Sequence, residues 1–123
     1  MIKGIGVDTI EIERIARVIK QWDHHFLRKI FTAREISYCK SKPNTIQHFA
    51  VRFAAKEAFA KAIATGWRSA FRWQDVEIEN DLAGKPKIVL HGKLEQQFSL
   101  ATVHLSLSHT HTSAVAVVML ESV

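Results

Sequence analysis

Three ionisable residues of this 123-residue chain have types and spacings that suit the binding of a metal ion and a phosphate. Asp8 follows a short apolar stretch, and Glu57 and Lys61 lie four residues apart in an alanine-rich segment with helical periodicity. Two carboxylates beside a lysine can hold Mg²⁺, which completes its coordination with water and phosphate oxygens. The alternative is an i,i+4 salt bridge between Glu57 and Lys61, worth only about 0.2–0.5 kcal/mol. The sequence leaves both interpretations open.

Further cations and a row of polar side chains could also contact a phosphate. Arg52 and Lys56 precede Glu57 in the same segment and could meet phosphate oxygens, although both could equally be exposed helix charges. In a strand, His104, Ser106 and Ser108 would share one face, which surface exposure explains equally well.

Two other kinds of site are not expected. No pair among the seven histidines has zinc-site spacing with a cysteine. The segment Gly4-Ile-Gly6 lacks the third glycine and the following helix of a dinucleotide-binding fingerprint. We therefore discount zinc and dinucleotide binding.

Elements predicted for the first half would position Asp8 and Glu57. A strand over Ile2–Val7 would present Asp8 at its end, and a helix would follow from Glu11 to Ile19. Thr32-Ala-Arg-Glu35 matches a capping box and predicts a helix over Ala33–Lys40. The longest predicted helix runs from Thr45 to Ala64, with Asn44 as its cap and Gly66 closing it.

The second half changes to strand periodicity. Its predicted elements are a strand around Val76–Ile78, a turn over Asp81–Pro86, a strand over Lys87–His91, a helix over Lys93–Leu100, and strands over Thr102–Ser108 and Ser113–Leu120. All candidate breaks are short enough to be turns. We therefore predict a single α+β domain over residues 1–123, with an antiparallel sheet packed against one long and several short helices.

Charge and cysteine content limit the partners and the compartment. Residues 1–72 contain 14 Lys/Arg against 6 Asp/Glu, whereas residues 73–123 contain 3 against 6, which favours an acidic partner such as nucleic acid, an acidic protein or a phosphorylated small molecule. The lone cysteine, Cys39, indicates an unreactive thiol in a reducing cytoplasm. The apolar run Ala114–Leu120 is seven residues against the roughly 20 that span a bilayer, so we expect no membrane association.

Three segments in order carry a family resemblance: Gly4–Asp8, Arg52–Lys61 and Val103–His109. Together they resemble the 4′-phosphopantetheinyl transferases, specifically the short holo-acyl-carrier-protein synthase type. Gly84-Lys-Pro86 and Thr32-Ala-Arg-Glu35 also fit, so the likeness spans nearly the whole chain. Val51, Ala60 and Ala64 depart from the usual pattern, but the ionic residues are intact.

The resemblance implies that CoA donates its 4′-phosphopantetheine arm to a serine hydroxyl of an apo acyl carrier protein, with release of adenosine 3′,5′-bisphosphate and a place in fatty acid biosynthesis. By matched position, Asp8 and Glu57 would bind Mg²⁺, and Asp8, Glu57 and Lys61 would be the catalytic residues. The positions implied for CoA binding are Arg52, Lys61, Gly84, Lys85, Pro86 and His104. The general base stays open among Glu57, a metal-bound water and His104.

The resemblance also implies a homotrimer with CoA between neighbouring subunits and a strongly acidic carrier protein as partner. Arg14 and Arg17, on the helix after Asp8, would bind that carrier. The first rival hypothesis is a basic nucleic-acid-binding module, for which the aromatic and basic residues are Trp67, Arg68, Phe71, Arg72 and Trp73. Asp8 and Glu57 would repel nucleic acid, so we expect no nucleic-acid partner. The second rival is a non-catalytic trimeric interaction domain.

Overall fold

The computed structural model describes residues 1–64 and 71–122, and this part of the chain forms five α-helices and five strands. In chain order they are β1 (Ile2–Glu11), α1 (Ile12–Trp22), α2 (His24–Ile30), α3 (Ala33–Lys40), α4 (Thr45–Ile63), β2 (Val76–Asn80), β3 (Pro86–Leu90), α5 (Gly92–Gln97), β4 (Ala101–His109) and β5 (Ser113–Ser122). One turn of 3-10 helix, Trp73–Asp75, precedes β2. The predicted α+β class is confirmed.

The strands form two antiparallel sheets. The larger has the order β1-β5-β4, and the smaller pairs β2 with β3. In the larger sheet Asp8 lies opposite Ala116, and Ala116 lies opposite Leu107. β5 pairs with both β1 and β4, so the first strand of the chain is hydrogen-bonded to the last strand.

One face of the larger sheet is covered by α4, and the other is open. Side chains alternate along a strand, so Ile10, Ala116 and Val118 are buried under α4. On the opposite face Ile5, Val7 and Val117 are 66%, 52% and 38% exposed. We call this surface, defined by these three residues and His104, the outer sheet face.

The long helix α4 is the centre of the core. Eleven of its nineteen residues are buried, so the helix is enclosed on most sides. Phe49 packs on Phe31, with ring centroids 5.0 Å apart, and Phe59 packs on Phe98. The alanines between these rings keep α4 thin enough to approach the sheet closely.

Two glycines of β1 allow the backbones of β1 and α4 to touch. A Cβ atom on Gly6 would lie 2.0 Å from the carbonyl oxygen of Ala58, and one on Gly4 would lie 2.1 Å from that of Ala62. Both obstacles are backbone atoms, which cannot move aside without shifting the helix. Packing therefore requires glycine at these two positions.

We expect Gly6→Ala to lower the free energy of unfolding by about 3 kcal/mol or more, because the methyl group forces β1 and α4 apart. Gly84→Ala is the control: Gly84 has φ +87°, but nothing lies within 4 Å of its Cβ position. Only the backbone strain of about 1–2 kcal/mol should then appear. Urea unfolding followed by circular dichroism measures both, and equal losses would contradict the close-approach explanation.

Several boundaries differ from the prediction. β1 continues to Glu11, so the expectation that Asp8 ends the strand is wrong; buried Ile10 extends the alternation past it. Helix α1 runs to Trp22, three residues beyond its predicted end. Helix α2 was not predicted at all. It follows Asp23, whose φ of +40° turns the chain between the two helices.

The two predicted helix caps have different outcomes. The capping box is confirmed: the Glu35 amide donates to Thr32 Oγ1 at 3.1 Å, and the Thr32 amide donates to Glu35 Oε1 at 2.9 Å. Asn44 does precede α4, but its side chain forms no capping hydrogen bond. Gly66, the predicted end of that helix, lies outside the described residues.

Two further predictions concern the thiol and the membrane. Cys39 is buried, and burial raises the pKa of its thiol to about 12, as suits an unreactive thiol. Within residues 1–64 and 71–122, no helix combines the length and the apolar character needed to cross a membrane.

Candidate active site

Asp8 and Glu57 line the same pocket. This pocket, of about 320 Å³, is bounded by β1, α1, α2 and α4, and we call it the carboxylate pocket. Its lining residues are Asp8, Thr9, Ile10, Arg14, Ile15, Val18, Phe26, Phe53 and Glu57. The fold therefore brings together two carboxylates that are 49 positions apart in the chain.

The electrostatics of the pocket suit a cation. Burial raises the pKa of the Glu57 carboxyl, and the negative charge of Asp8 raises it further, whereas Lys61 and Arg14 oppose the shift. The two negative charges repel each other, and a cation bound by both carboxylates would offset that repulsion. Carboxylate oxygens are hard ligands, and Mg²⁺ usually takes only one or two of them. The described residues contain no cluster of three or more His, Cys, Asp or Glu side chains that could hold a metal, so an ion held by Asp8 and Glu57 would need further ligands from beyond these side chains.

Lys61 is bound to Asp8. Its ammonium donates to Asp8 Oδ1 at 3.0 Å and to the Val7 carbonyl at 3.1 Å, while no ion pair joins it to Glu57 among the described residues. The alternative of a plain Glu57–Lys61 salt bridge is therefore wrong. The Lys61 side chain is 55% exposed and the Asp8 side chain 15% exposed. Such a pair holds the ammonium at the pocket while leaving it open to an incoming anion.

Arg52 occupies a second pocket, on another side of α4. The guanidinium is buried, with 3% of the residue exposed, and stacks over the Tyr38 ring at 4.4 Å from its centroid. Nη2 donates to Asn80 Oδ1 at 2.6 Å and Nη1 to the His48 carbonyl at 3.4 Å. Nε has no hydrogen-bond partner, and Arg52 takes part in none of the ion pairs among the described residues. A buried cation with only neutral partners fits an anionic ligand.

The Gly84-Lys85-Pro86 segment forms a turn next to this second pocket. Gly84 adopts φ +87°, and the Asp81 carboxylate accepts from the amides of Ala83 and Lys85. Lys85 is exposed and Pro86 begins β3. The structure thus brings the turn and Arg52 into one region, which we call the arginine pocket. The cavity beside Arg52 within this region has a volume of about 200 Å³. Its lining residues are Arg34, Glu35, Tyr38, Arg52, Glu77, Ile78, Glu79 and Asn80.

His104 belongs to neither pocket. It lies on the outer sheet face, where Nε2 is 3.0 Å from Glu121 Oε1. Its register partner is Met119, whereas Asp8 pairs with Ala116 beneath α4. Arg52 and Glu57 are five residues apart and so leave α4 about 140° apart. Within one chain the predicted site residues therefore form separate groups.

The remaining predicted cations have different environments. Arg14 lines the carboxylate pocket, and Arg17 is exposed one turn later on α1. Lys56 is neither an exposed charge nor free to meet phosphate, because it is fully buried. Its ammonium donates to Glu35 Oε1 at 2.8 Å and to two backbone carbonyls. Burial lowers the pKa of Lys56, while Glu35 acts in the opposite direction.

Sequence reasoning missed Tyr38 and Asn80, which hold Arg52. Tyr38 lies near the end of α3 and Asn80 ends β2, so neither is near Arg52 in sequence. The sequence contains no signal for this role, because a tyrosine in a helix and an asparagine at the end of a strand can each have many functions. For the nucleic-acid alternative, Trp67 and Arg68 lie outside the described residues. Trp73 packs against Phe53 with ring centroids 6.4 Å apart, so it contributes to the core.

Comparison with known proteins is consistent across nearly the whole chain. Residues 4–118 match the sequence profile of the 4′-phosphopantetheinyl transferase superfamily. The holo-[acyl-carrier-protein] synthase of Geotalea daltonii is 47% identical over 124 residues, covering 98% of this chain and 99% of that protein.

Solved structures agree with the sequence comparison. The holo-[acyl-carrier-protein] synthase of Neisseria meningitidis superposes with a TM-score of 0.88 at 34% identity, covering 99% of this chain and all of that one. The Bacillus anthracis holo-(acyl-carrier-protein) synthase, solved in complex with CoA (3′,5′-ADP), gives a TM-score of 0.82 at 38% identity, covering 100% and 99% of the two chains. The chain belongs to the 4′-phosphopantetheinyl transferase superfamily, and within it to the enzymes of the holo-[acyl-carrier-protein] synthase type.

Proposed function

We propose that this enzyme uses Mg²⁺ to transfer 4′-phosphopantetheine from CoA to a serine of an acidic apo acyl carrier protein. Adenosine 3′,5′-bisphosphate is the second product, and fatty acid biosynthesis in the cytoplasm is the setting. The observation that carries this proposal is that Asp8 and Glu57 line one pocket and that Lys61 is bound to Asp8. Two carboxylates and an ammonium suit a metal-bound diphosphate.

The residues of the carboxylate pocket have distinct proposed roles. Asp8 and Glu57 would hold Mg²⁺, which when bound neutralises diphosphate charge as the phosphoryl bond breaks. Lys61, fixed by Asp8 and the Val7 carbonyl, would bind the same phosphates. The serine oxygen forms a bond to the phosphorus of the pantetheine phosphate, the bond to the leaving phosphate breaks, and the serine proton passes to a base. Glu57 lines the pocket, whereas His104 of the same chain is on the other sheet face, so His104 could act as the base only from a neighbouring subunit.

The arginine pocket would bind another part of CoA. Arg52 is buried without an acidic partner in the described chain, as expected for a side chain that binds phosphate. Gly84, Lys85 and Pro86 form the neighbouring turn, which we assign to the adenine end of the ligand. His104 would contact CoA from a different chain, because it lies on the far side of the sheet.

A homotrimer would account for these separate groups. The outer sheet face presents Ile5, Val7 and Val117 to solvent beside the polar row of β4. A contiguous apolar sheet surface is a common place for subunit contact. We propose that copies of this chain associate through the outer sheet face, which would place His104 at a subunit boundary and CoA between neighbouring subunits.

The direct test is a transfer assay with purified enzyme, CoA, Mg²⁺ and an apo acyl carrier protein. Mass spectrometry of the carrier should show the addition of one phosphopantetheine, and EDTA should abolish it. Unmodified carrier with several different apo carriers would overturn the proposed activity. Modification that persists in EDTA would overturn the proposed metal dependence alone.

We expect Arg17→Glu to raise the KM for the carrier protein about tenfold, because an exposed basic residue on α1 attracts an acidic partner. The values of kcat and KM for CoA should stay within about twofold, since Arg17 is exposed outside both pockets. Lys93→Glu makes the same charge change on α5 and serves as the matched control. Steady-state kinetics at two salt concentrations measure the effect, and an equal response of both variants would contradict a docking role.

A further inference from the structure

One neutral side chain joins the two halves of the arginine pocket. Asn80 Oδ1 accepts a hydrogen bond from Arg52 Nη2 at 2.6 Å. Its Nδ2 donates to the Gly84 carbonyl at 2.9 Å. Asn80 ends β2, so it lies between buried α4 and the turn that leads into β3. Both ends of the amide are used, and each fixes a different part of the pocket.

Asn80 is the main directional restraint on Arg52. The other guanidinium hydrogen bond, to the His48 carbonyl, is long at 3.4 Å. Stacking on Tyr38 fixes the plane of the guanidinium but leaves it free to rotate within that plane. A short hydrogen bond at Nη2 removes this freedom and so determines which donors remain available.

The neutrality of Asn80 preserves the charge of Arg52. The acidic groups around the pocket are engaged elsewhere: Glu35 with Lys56, Glu77 with Thr32 and His91, and Glu79 with Lys87 at 3.7 Å. The carboxylate of Asp81, next in the chain, accepts from two turn amides. An acidic side chain at position 80 would form an ion pair with Arg52 and oppose the binding of an anion there.

We infer that Asn80 is a positioning residue that orients Arg52 and the Gly84 turn as one binding surface for the phosphate-bearing nucleotide end of CoA. This inference rests on the proposed function, because it takes CoA as the ligand of the arginine pocket. It assigns Asn80 no contact with the reacting atoms. Its removal should therefore affect ligand affinity and leave the rate at saturation unchanged.

Calorimetric binding of adenosine 3′,5′-bisphosphate and steady-state kinetics with CoA test the inference. Asn80→Asp should weaken nucleotide binding and raise the KM for CoA by about 30-fold, through loss of the amide donor and neutralisation of Arg52. Asn80→Ala should cause a smaller change of about fivefold to tenfold, since the arginine keeps its charge. In both variants kcat should stay within about threefold of the wild-type value.

The matched controls are Asn44→Asp and Asn44→Ala, because Asn44 is the other asparagine of the chain, is exposed and makes no capping hydrogen bond. They should leave nucleotide affinity unchanged. Wild-type affinity in both Asn80 variants would overturn the inference. A fall in kcat and thermal stability without a change in KM would also overturn it, since that result describes a merely structural residue.

The same measurements separate this inference from the proposed activity. A wild-type enzyme that binds the nucleotide but modifies no carrier would refute the activity, and calorimetry would still decide the role of Asn80. Failure of the wild-type enzyme to bind either CoA or the nucleotide would overturn both.

Discussion

Glu57→Gln and Asp8→Asn should each reduce phosphopantetheine transfer about a thousandfold while the protein remains folded. Each change keeps the shape of the side chain but replaces an anionic oxygen ligand with an amide. The charge of Asp8 raises the pKa of Glu57, so removing either charge relieves a repulsion within the free protein. We therefore expect the loss to appear in catalysis and metal affinity and to leave stability nearly unchanged.

The two changes should act as one unit. If both carboxylates hold the same ion, the double variant should be little slower than either single variant, because the site is already lost. Glu95→Gln is the control, because Glu95 is exposed on α5, and this variant should retain wild-type rates. Transfer is measured by mass spectrometry across a Mg²⁺ titration, and folding by circular dichroism. Near-normal transfer in both single variants would exclude the assigned ion site.

Local sequence signals predicted one part of the site and most of the elements, although not α2. The capping box identified the start of α3, and the spacing of Glu57 and Lys61 placed both on α4. These signals work because they depend on neighbours within a turn or two. Their local range also explains why the sequence left the partner of Lys61 undecided: that partner is Asp8, 53 residues away, and not Glu57.

Contacts between distant elements were less accessible. Strand alternation correctly placed His104 and the serines of β4 on one side, since Val103, Leu105 and Leu107 alternate with them in register. It did not reveal that α4 covers the other side. Lys56 was misread for a related reason: its partner Glu35 is 21 residues away on α3 and already serves the capping box. The positions of Lys56 and Glu35 in the sequence give no indication that the two side chains form a buried ion pair.

Lys56→Met should lower the free energy of unfolding by about 3–5 kcal/mol, the usual cost of removing one partner of a buried ion pair. The Lys56 ammonium donates to Glu35 Oε1 at 2.8 Å, the Val76 carbonyl at 2.6 Å and the Trp73 carbonyl at 3.0 Å. Methionine fills the space of the lysine stem but satisfies none of these acceptors. The carboxylate of Glu35 would then be buried without a cation.

A second variant separates the lost pair from a simple packing defect. In Lys56→Met/Glu35→Gln the isolated charge is gone. The Thr32 and Ile78 amides donate to different oxygens of Glu35, so the single oxygen of glutamine keeps one of these two hydrogen bonds. The double variant should therefore be more stable than Lys56→Met alone. Lys87→Met is the control, because Lys87 is 56% exposed and 3.7 Å from Glu79, and a surface pair contributes little. Urea unfolding measures all three, and wild-type stability in Lys56→Met would show that the network does not hold α4 to α3 and β2.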